Sequence, residues 1–398
     1  TQKTMKRTLI LLCALAVTAV SAQEKKGKVY KFEDVKTVGV TSVKDQSRSG
    51  TCWSFSGLAF LESELLRAGK DTVDLSEMWV VRHTYLDKAV KYVRMHGKAN
   101  FGGGGATHDV MNVIREHGIV PEEVYTGLQY GTAKHQHKEL DAVLEAYMSA
   151  VLRSHNDPMT STWQKGFNAL LDTYLGPVPE KFTYKGVEYT PESFAASLGL
   201  NMDDYVSFTS FTHHPFYTQF AVEVPDNWAW GMSYNVPLEE FEALFDAAID
   251  NGYSIFWAAD VSEPGFKWNQ GFAVVPDATV ESLEGTEQAR WVKMTPAQRE
   301  AAVLNFDHIR KEKKITQQMR QEAYDSWETT DDHGMQIVGT AVDTLGNKYY
   351  KVKNSWGTTQ LYGGYFYASA PYVAYKTMNL VVNKNAVPKE LRRKLGIK

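Results

Sequence analysis

Two short blocks at opposite ends of this 398-residue chain carry complementary chemistry and must meet in space to use it. The first block is Gln46-Ser-Arg-Ser-Gly-Thr-Cys52-Trp-Ser-Phe, and the second begins at His333 and includes Asn354-Ser-Trp-Gly. The cysteine and the histidine are 281 positions apart. The fold must therefore close a very long loop to bring the two halves of one site together.

Cys52 directly precedes a run with helical character, Ser54–Arg67, which predicts that it lies at a helix N-terminus. The unpaired N–H groups and the positive end of the helix dipole favour a thiolate at that position. A thiolate is the nucleophile that acyl-transfer chemistry requires. The alternative is a buried cysteine that only fills space, and a histidine with an orienting amide elsewhere in the chain favours the catalytic interpretation.

The second block supplies both of these groups. His333 would accept the thiol proton and return it to a leaving amine, and the side-chain carbonyl of Asn354 would orient the imidazole. Trp356 would shield that hydrogen bond from water. Gln46 and the backbone N–H of Cys52 would donate hydrogen bonds to a developing oxyanion.

The set Gln46, Cys52, His333 and Asn354, with its adjoining glycines and tryptophans, resembles the catalytic residues of the papain-like cysteine peptidases. The wide spacing of the two blocks, and the pair Gly104-Gly105 before a helical run, are similar to the bleomycin hydrolase and aminopeptidase C branch. The resemblance implies an α+β papain-like fold, in which a cleft separates a helical half from an antiparallel β half. It also implies a large, mainly helical insertion.

The same resemblance implies a cysteine aminopeptidase that releases N-terminal residues from peptides through a thioester on Cys52. We expect the substrate to lie against Gly104, Gly105, Trp53 and Trp356, because glycines let a peptide backbone approach closely. The resemblance further implies peptides as partners, no cofactor and a homohexameric assembly.

The C-terminal segment keeps other interpretations open. Members of this branch close the far side of the cleft with a C-terminal arm, whereas Lys389–Lys398 (KELRRKLGIK) is short and basic. A papain-like endopeptidase with an open cleft is therefore one alternative. A peptide-binding relative without catalysis is a second alternative.

The first residues predict export. A basic start at Met5-Lys6-Arg7, an apolar run at Leu9–Ala19 and small residues before Gln23 predict a signal peptide within residues 1–22. We expect cleavage before Gln23 and a secreted or periplasmic mature protein. Cys52 is then the only cysteine left, which excludes an internal disulfide.

Charge and histidine placement exclude other classes of function. Removal of residues 1–22 takes away three of the 43 basic residues and none of the 47 acidic ones, which leaves a net charge of −7. Such a chain has no electrostatic reason to bind nucleic acid or an anionic membrane. The pairs His135/His137 and His213/His214 lack nearby cysteine or acidic residues at ligand spacing, so no metal site is predicted.

Asp331-Asp332 directly precedes the histidine of the second block. These carboxylates would tune the pKa of His333 or bind a substrate amine, although a solvated turn is the commoner reason for such a pair.

The predicted organisation has five parts, defined by the two blocks and the segments around them. They are an upstream extension with the signal peptide (1–22), an N-terminal catalytic half with the nucleophile helix (23–140), the insertion (141–328), a β-rich catalytic half with the histidine and asparagine (329–383) and a C-terminal tail (384–398).

Overall fold

A computed structural model describes residues 29–154, 158–278 and 294–398, so the predicted signal peptide lies outside the described residues. Most helices precede the second block in the chain. The α-helices of the described part are α1 (Cys52–Arg67), α2 (Glu77–Arg94), α3 (Thr107–His117), α4 (Lys138–Arg153), α5 (Thr162–Leu175), α6 (Pro191–Leu198), α7 (Leu238–Asp250), α8 (Pro296–Val303), α9 (Gln317–Asp325), α10 (Ala370–Lys376) and α11 (Lys389–Leu395).

The strands form one large mixed sheet and one small hairpin. They are β1 (Phe32–Thr37), β2 (Phe182–Tyr184), β3 (Val187–Tyr189), β4 (Tyr205–Thr209), β5 (Gln219–Ala221), β6 (Met232–Asn235), β7 (Ile255–Ala259), β8 (Phe266–Lys267), β9 (Phe272–Ala273), β10 (His333–Asp343), β11 (Lys348–Lys353), β12 (Tyr365–Ser369) and β13 (Thr377–Asn383). The large sheet has the order β5-β6-β4-β13-β7-β10-β11-β12-β9-β8, and β1 also pairs with β10. Strands β2 and β3 form the separate hairpin.

The strand that begins with His333 lies in the middle of the large sheet. Strand β10 pairs antiparallel with β7, β11 and β1, and His333 lies opposite Ala259 at the end of β7. Gln336 on β10 is fully buried, and its amide donates to Ala59 O (3.1 Å) and Ser63 Oγ (2.8 Å) on α1. These buried hydrogen bonds fix α1 against β10, because breaking them would leave polar groups without partners. The two blocks are held together in this way.

Helix α1 forms the boundary between the helical half and the sheet, and it is buried from Trp53 to Leu65. A Cβ added to Gly57 would lie 2.6 Å from Val110 on α3 and 2.9 Å from Phe256 on β7. The glycine therefore permits a close approach on both sides of the helix. The prediction of an α+β papain-like fold is confirmed.

The described part of the insertion contains more helix than strand, as predicted, but it also supplies strands to the large sheet. Residues 141–328 contain six strands of the large sheet, β4 to β9, as well as helices. Strand β7 lies between β10 and β13 and is buried at every position, which suits its apolar sequence Ile-Phe-Trp-Ala-Ala. Part of the insertion therefore contributes to the β half.

The C-terminal segment packs on the β half. Leu391 is buried there, and Leu395 and Ile397 pack partly buried in the same apolar cluster. The Lys394 ammonium hydrogen-bonds to the carboxylate of Glu240 on α7. Among the described helices, none combines the length and the apolar character needed to cross a lipid bilayer.

Candidate active site

Cys52 is the first residue of α1, and it lines a cavity between this helix and the large sheet. The backbone N–H of Gly334, which follows the histidine, donates to Cys52 Sγ at 3.4 Å. The expected stabilisation of a thiolate is not what the surroundings produce. Burial is the largest cause that raises the pKa of Cys52 to about 12, the hydrogen bond from the Gly334 N–H opposes it, and the carboxylates of Asp331 and Asp226 contribute to the rise. Desolvation and negative charge outweigh the effect of the helix terminus.

His333 lines the same cavity and is hydrogen-bonded to Asn354, the residue predicted to orient it. The distance from His333 Nε2 to Asn354 Oδ1 is 2.7 Å, and the same oxygen accepts the N–H of Ser355 at 2.8 Å. The ring of Trp356 stacks on the imidazole with 4.6 Å between ring centroids, so it covers the hydrogen bond from one side. Burial lowers the pKa of His333 to about 4.

Gln46 is hydrogen-bonded to Ser355, the residue that follows Asn354. Its Nε2 donates to Ser49 O at 2.9 Å, and its Oε1 accepts the hydroxyl of Ser355 at 2.7 Å. Because a primary amide carries two N–H groups, one remains for an oxyanion. The side chain does not line the cavity that contains Cys52. The role of Gln46 as a hydrogen-bond donor to the oxyanion stays a prediction.

The glycine loop, residues 102–105, is held in place by hydrogen bonds from side chains of the helical half. Lys88 on α2 is buried, and its ammonium donates to two carbonyls of the loop, one of them at 2.9 Å. The indole N–H of Trp53 donates to a third carbonyl at 3.0 Å. A Cβ added to Gly105 would lie 2.7 Å from the Trp53 ring. Trp53 therefore supports the loop as well as lining the cavity.

A segment without a recognisable motif covers this end of the cavity. Residues 222–231 connect β5 to β6, and we call them the covering loop. Asn227 is buried, and its amide donates to carbonyls near both ends of the loop at 3.0 Å. The indole N–H of Trp228 donates to Asp109 on α3 at 3.0 Å. The loop is thus closed internally and fixed to the helical half.

Asp226 on the covering loop occupies the space above Gly104. A Cβ added to Gly104 would overlap Oδ2 of this aspartate, at the place where a substrate backbone was expected to approach. The other oxygen accepts a hydrogen bond from Asn100 at 2.9 Å. Burial raises the pKa of Asp226, and the nearby Lys88 opposes that rise. A carboxylate therefore ends the cleft above the glycine loop, and sequence reasoning missed it.

The two aspartates before His333 have different surroundings. Asp332 accepts hydrogen bonds from two backbone N–H groups (3.2 and 3.0 Å) and from a threonine hydroxyl (2.6 Å). Burial alone would raise the pKa of Asp332, but these donors and Asp260 hold it below its usual value. Asp331 lines the cavity and has no hydrogen bond or ion pair with any described residue. Burial, with Asp226 and Asp332 nearby, raises the pKa of Asp331 to about 7.

The histidine pairs fall into two kinds of environment. His135 and His137 are buried, and burial lowers their pKa values to about 4 and about 3, so they pack as neutral side chains. His213 and His214 each bond through Nε2 to Glu223 at 2.9 Å. The fold thus gives the second pair an acidic partner that sequence spacing did not show. These three side chains are the ones in this region able to hold a metal ion.

Two family models match the two ends of the chain. The model of the papain family cysteine proteases matches residues 30–170, and the model of the Peptidase C1-like family matches residues 292–397. Each match contains one of the two blocks.

Curated relatives match over most of the chain. Aminopeptidase C of Lactococcus lactis subsp. lactis (strain IL1403) is 22% identical over 393 residues, with 87% of this chain and 82% of that protein covered. Cysteine proteinase 1, mitochondrial, of Saccharomyces cerevisiae (strain JAY291) is 22% identical over 410 residues, with 91% and 79% covered.

A solved structure shares the fold. The crystal structure of PepW from Lactobacillus rhamnosis HN001 superposes with a TM-score of 0.68 at 19% identity, covering 92% of this chain and 84% of that one. The likeness to this structure concerns the fold. The two family models and the curated relatives support the papain-like cysteine peptidases as the family of this chain, and within them the branch of aminopeptidase C and bleomycin hydrolase.

Proposed function

We propose that the chain is a cysteine aminopeptidase that releases N-terminal residues from peptides. The observation that carries the proposal is the 2.7 Å bond between His333 and Asn354 beside the cavity that Cys52 lines. A nucleophile, a base and a group that orients the base are the parts that covalent acyl transfer needs. The relatives named aminopeptidase C align with 87% of this chain or more, and they support cleavage at the N-terminal end of the peptide.

The proposed reaction has two stages. In the first, Cys52 Sγ attacks the carbonyl of the first peptide bond while His333 takes the thiol proton. The oxyanion accepts hydrogen bonds from the backbone N–H of Cys52 and the amide of Gln46. His333 then protonates the leaving amine, the C–N bond breaks and a thioester remains. In the second stage, His333 deprotonates water, which hydrolyses the thioester and restores the thiol.

The pKa values imply that the thiol rests in its neutral form. The pKa of Cys52 is raised to about 12 and that of His333 is lowered to about 4. With the values in this order, a neutral thiol and a neutral imidazole are more stable than the ion pair. Proton transfer from Cys52 to His333 must therefore be promoted when a substrate is bound.

Two fluorogenic substrates that differ only in an N-terminal block test the proposal. The assay uses mature protein under reducing conditions, with Cys52→Ala as the control. We expect the free-amine substrate to be cleaved much faster than the blocked one, and neither to be cleaved by Cys52→Ala. Equal cleavage of the two substrates would show an endopeptidase with an open cleft. Full activity of Cys52→Ala, or no labelling of Cys52 by an epoxide inhibitor, would refute the cysteine mechanism.

We also propose that the protein is exported and that it assembles as a homohexamer. The basic start and apolar run before Gln23 support export, and the branch to which the chain belongs supports the assembly. Mass spectrometry of the N-terminus, on protein from the periplasm or medium, should find Gln23 first. Light scattering of the purified protein should give six times the mass of one mature chain.

A further inference from the structure

Two carboxylates face the cavity of Cys52, and the surroundings do not neutralise them. Asp226 comes from the covering loop and Asp331 from the segment before β10, so they approach the cavity from different elements. Asp331 has no partner among the described residues, and one oxygen of Asp226 is aimed over Gly104. Negative charge beside a thiol opposes its ionisation. Such a pair of carboxylates opposes formation of the Cys52 thiolate, and therefore catalysis, unless a cation enters the cavity.

The charged residues around this pair leave it negative. The positive charge of Lys88 acts on Asp226, but its ammonium donates to carbonyls of the glycine loop and also interacts with the carboxylates of Asp109 and Asp141. Asp332 lies on the other side, next to Asp331. A half-buried carboxylate without a cation is costly, and binding of an ammonium group would relieve that cost.

Cys52, Gly105 and Asp226 line one cavity, and the Asp226 carboxylate fills the space beside Gly104. A peptide that follows the glycine loop, as the sequence leads us to expect, would run from Cys52 Sγ toward this carboxylate and leave room for one residue before the scissile bond. A further peptide unit would meet that carboxylate. The group that fits there is a free α-ammonium, which can bond to the oxygens that line the end of the cleft.

We propose that Asp226 and Asp331 bind the α-ammonium of the first residue of the substrate, so that the covering loop limits cleavage to the first peptide bond. This inference rests on the proposed aminopeptidase function and names the residues that give it its selectivity. The ammonium ion also offsets the negative charge beside Cys52, so binding of the correct substrate favours the thiolate.

The test compares alanyl-aminomethylcoumarin with its N-acetyl form on wild type, Asp226→Asn and Asp331→Asn. Asparagine keeps the shape and removes the charge. The control is Glu223→Gln, because Glu223 is an exposed carboxylate of the same loop whose bonds go to His213 and His214. The readout is the ratio of kcat/KM for the free substrate to kcat/KM for the acetylated one.

We expect this ratio to fall about tenfold or more in each asparagine variant, as for loss of a hydrogen bond to a charged group, and to stay unchanged in Glu223→Gln. A selective wild type with unchanged ratios in both asparagine variants would overturn this inference and leave the aminopeptidase intact. A wild type that cleaves neither substrate and whose Cys52 resists an epoxide would overturn the proposed function itself.

A measurement on wild type alone avoids any doubt about folding of the variants. Alaninamide and N-acetylalaninamide differ only in the amine, and each can compete with the fluorogenic substrate. We expect alaninamide to inhibit at concentrations at least about tenfold lower than those that N-acetylalaninamide requires, because its ammonium group binds to the carboxylates. Equal inhibition by the two amides would overturn the inference.

Discussion

Asp331→Asn should stabilise the folded protein at alkaline pH, although a conservative substitution near an active site rarely does so. The pKa of Asp331 is about 7 in the folded protein, against about 3.9 in an unfolded chain. A group with a raised pKa contributes its full stability below the unfolded value and loses it as the pH rises to the folded value. Above pH 7 the charged form is therefore a net cost.

The size of this cost follows from the difference of about three pKa units, which corresponds to about 4 kcal/mol. Because the carboxyl group is only half-buried, solvent screens part of it, and we expect about 2 kcal/mol. At pH 5 the cost should be about a third of this value, because only about one of the three units has been crossed.

The assay is urea unfolding of wild type and variant at pH 8 and pH 5 under reducing conditions. The neighbouring Asp332→Asn is the matched control with the opposite sign. Its carboxylate accepts three hydrogen bonds, so its loss should destabilise the protein at pH 8 by about 1–3 kcal/mol. Equal stabilisation by Asp331→Asn at both pH values would refute the role of ionisation, and so would destabilisation at pH 8.

Three further variants test other contacts. Asn354→Ala should lower kcat by about 10- to 100-fold without abolishing it, because the residue orients the imidazole and does not react. Gly104→Ala should displace the Asp226 carboxylate and reduce kcat/KM for a free-amine substrate, whereas Gly102→Ala, with open space around its Cβ, should not. Arg320→Met should lower the free energy of unfolding by about 3 kcal/mol or more, since the buried guanidinium bonds to four backbone carbonyls; an unchanged urea midpoint would contradict this.

Elements with strong local signals were predictable. The helix predicted from the run Ser54–Arg67 is present, and it begins two residues earlier, at Cys52. The blocks around Cys52 and His333 were predictable for a different reason, because the chemistry requires those residue types together.

The covering loop was not predictable, because its role depends on contacts that no local pattern contains. Asp226 lies in Pro-Asp-Asn-Trp, which has the composition of an ordinary turn, and it meets Gly104 across 122 positions of sequence. The strands on either side have three and four residues, too few to show an alternation of apolar and polar positions. The short strands that the insertion adds to the large sheet were not predicted for the same reason.

The anchoring of the covering loop affects how well the selectivity of the protein survives attack by other proteases. Both of its ends continue into strands of the large sheet, and Asn227 ties them together at its base. A selectivity element built from a chain terminus is lost as soon as a carboxypeptidase shortens that terminus. An element built into the interior of the chain offers no free end to such enzymes. The protein should therefore continue to cleave only the first peptide bond for as long as the sheet stays folded.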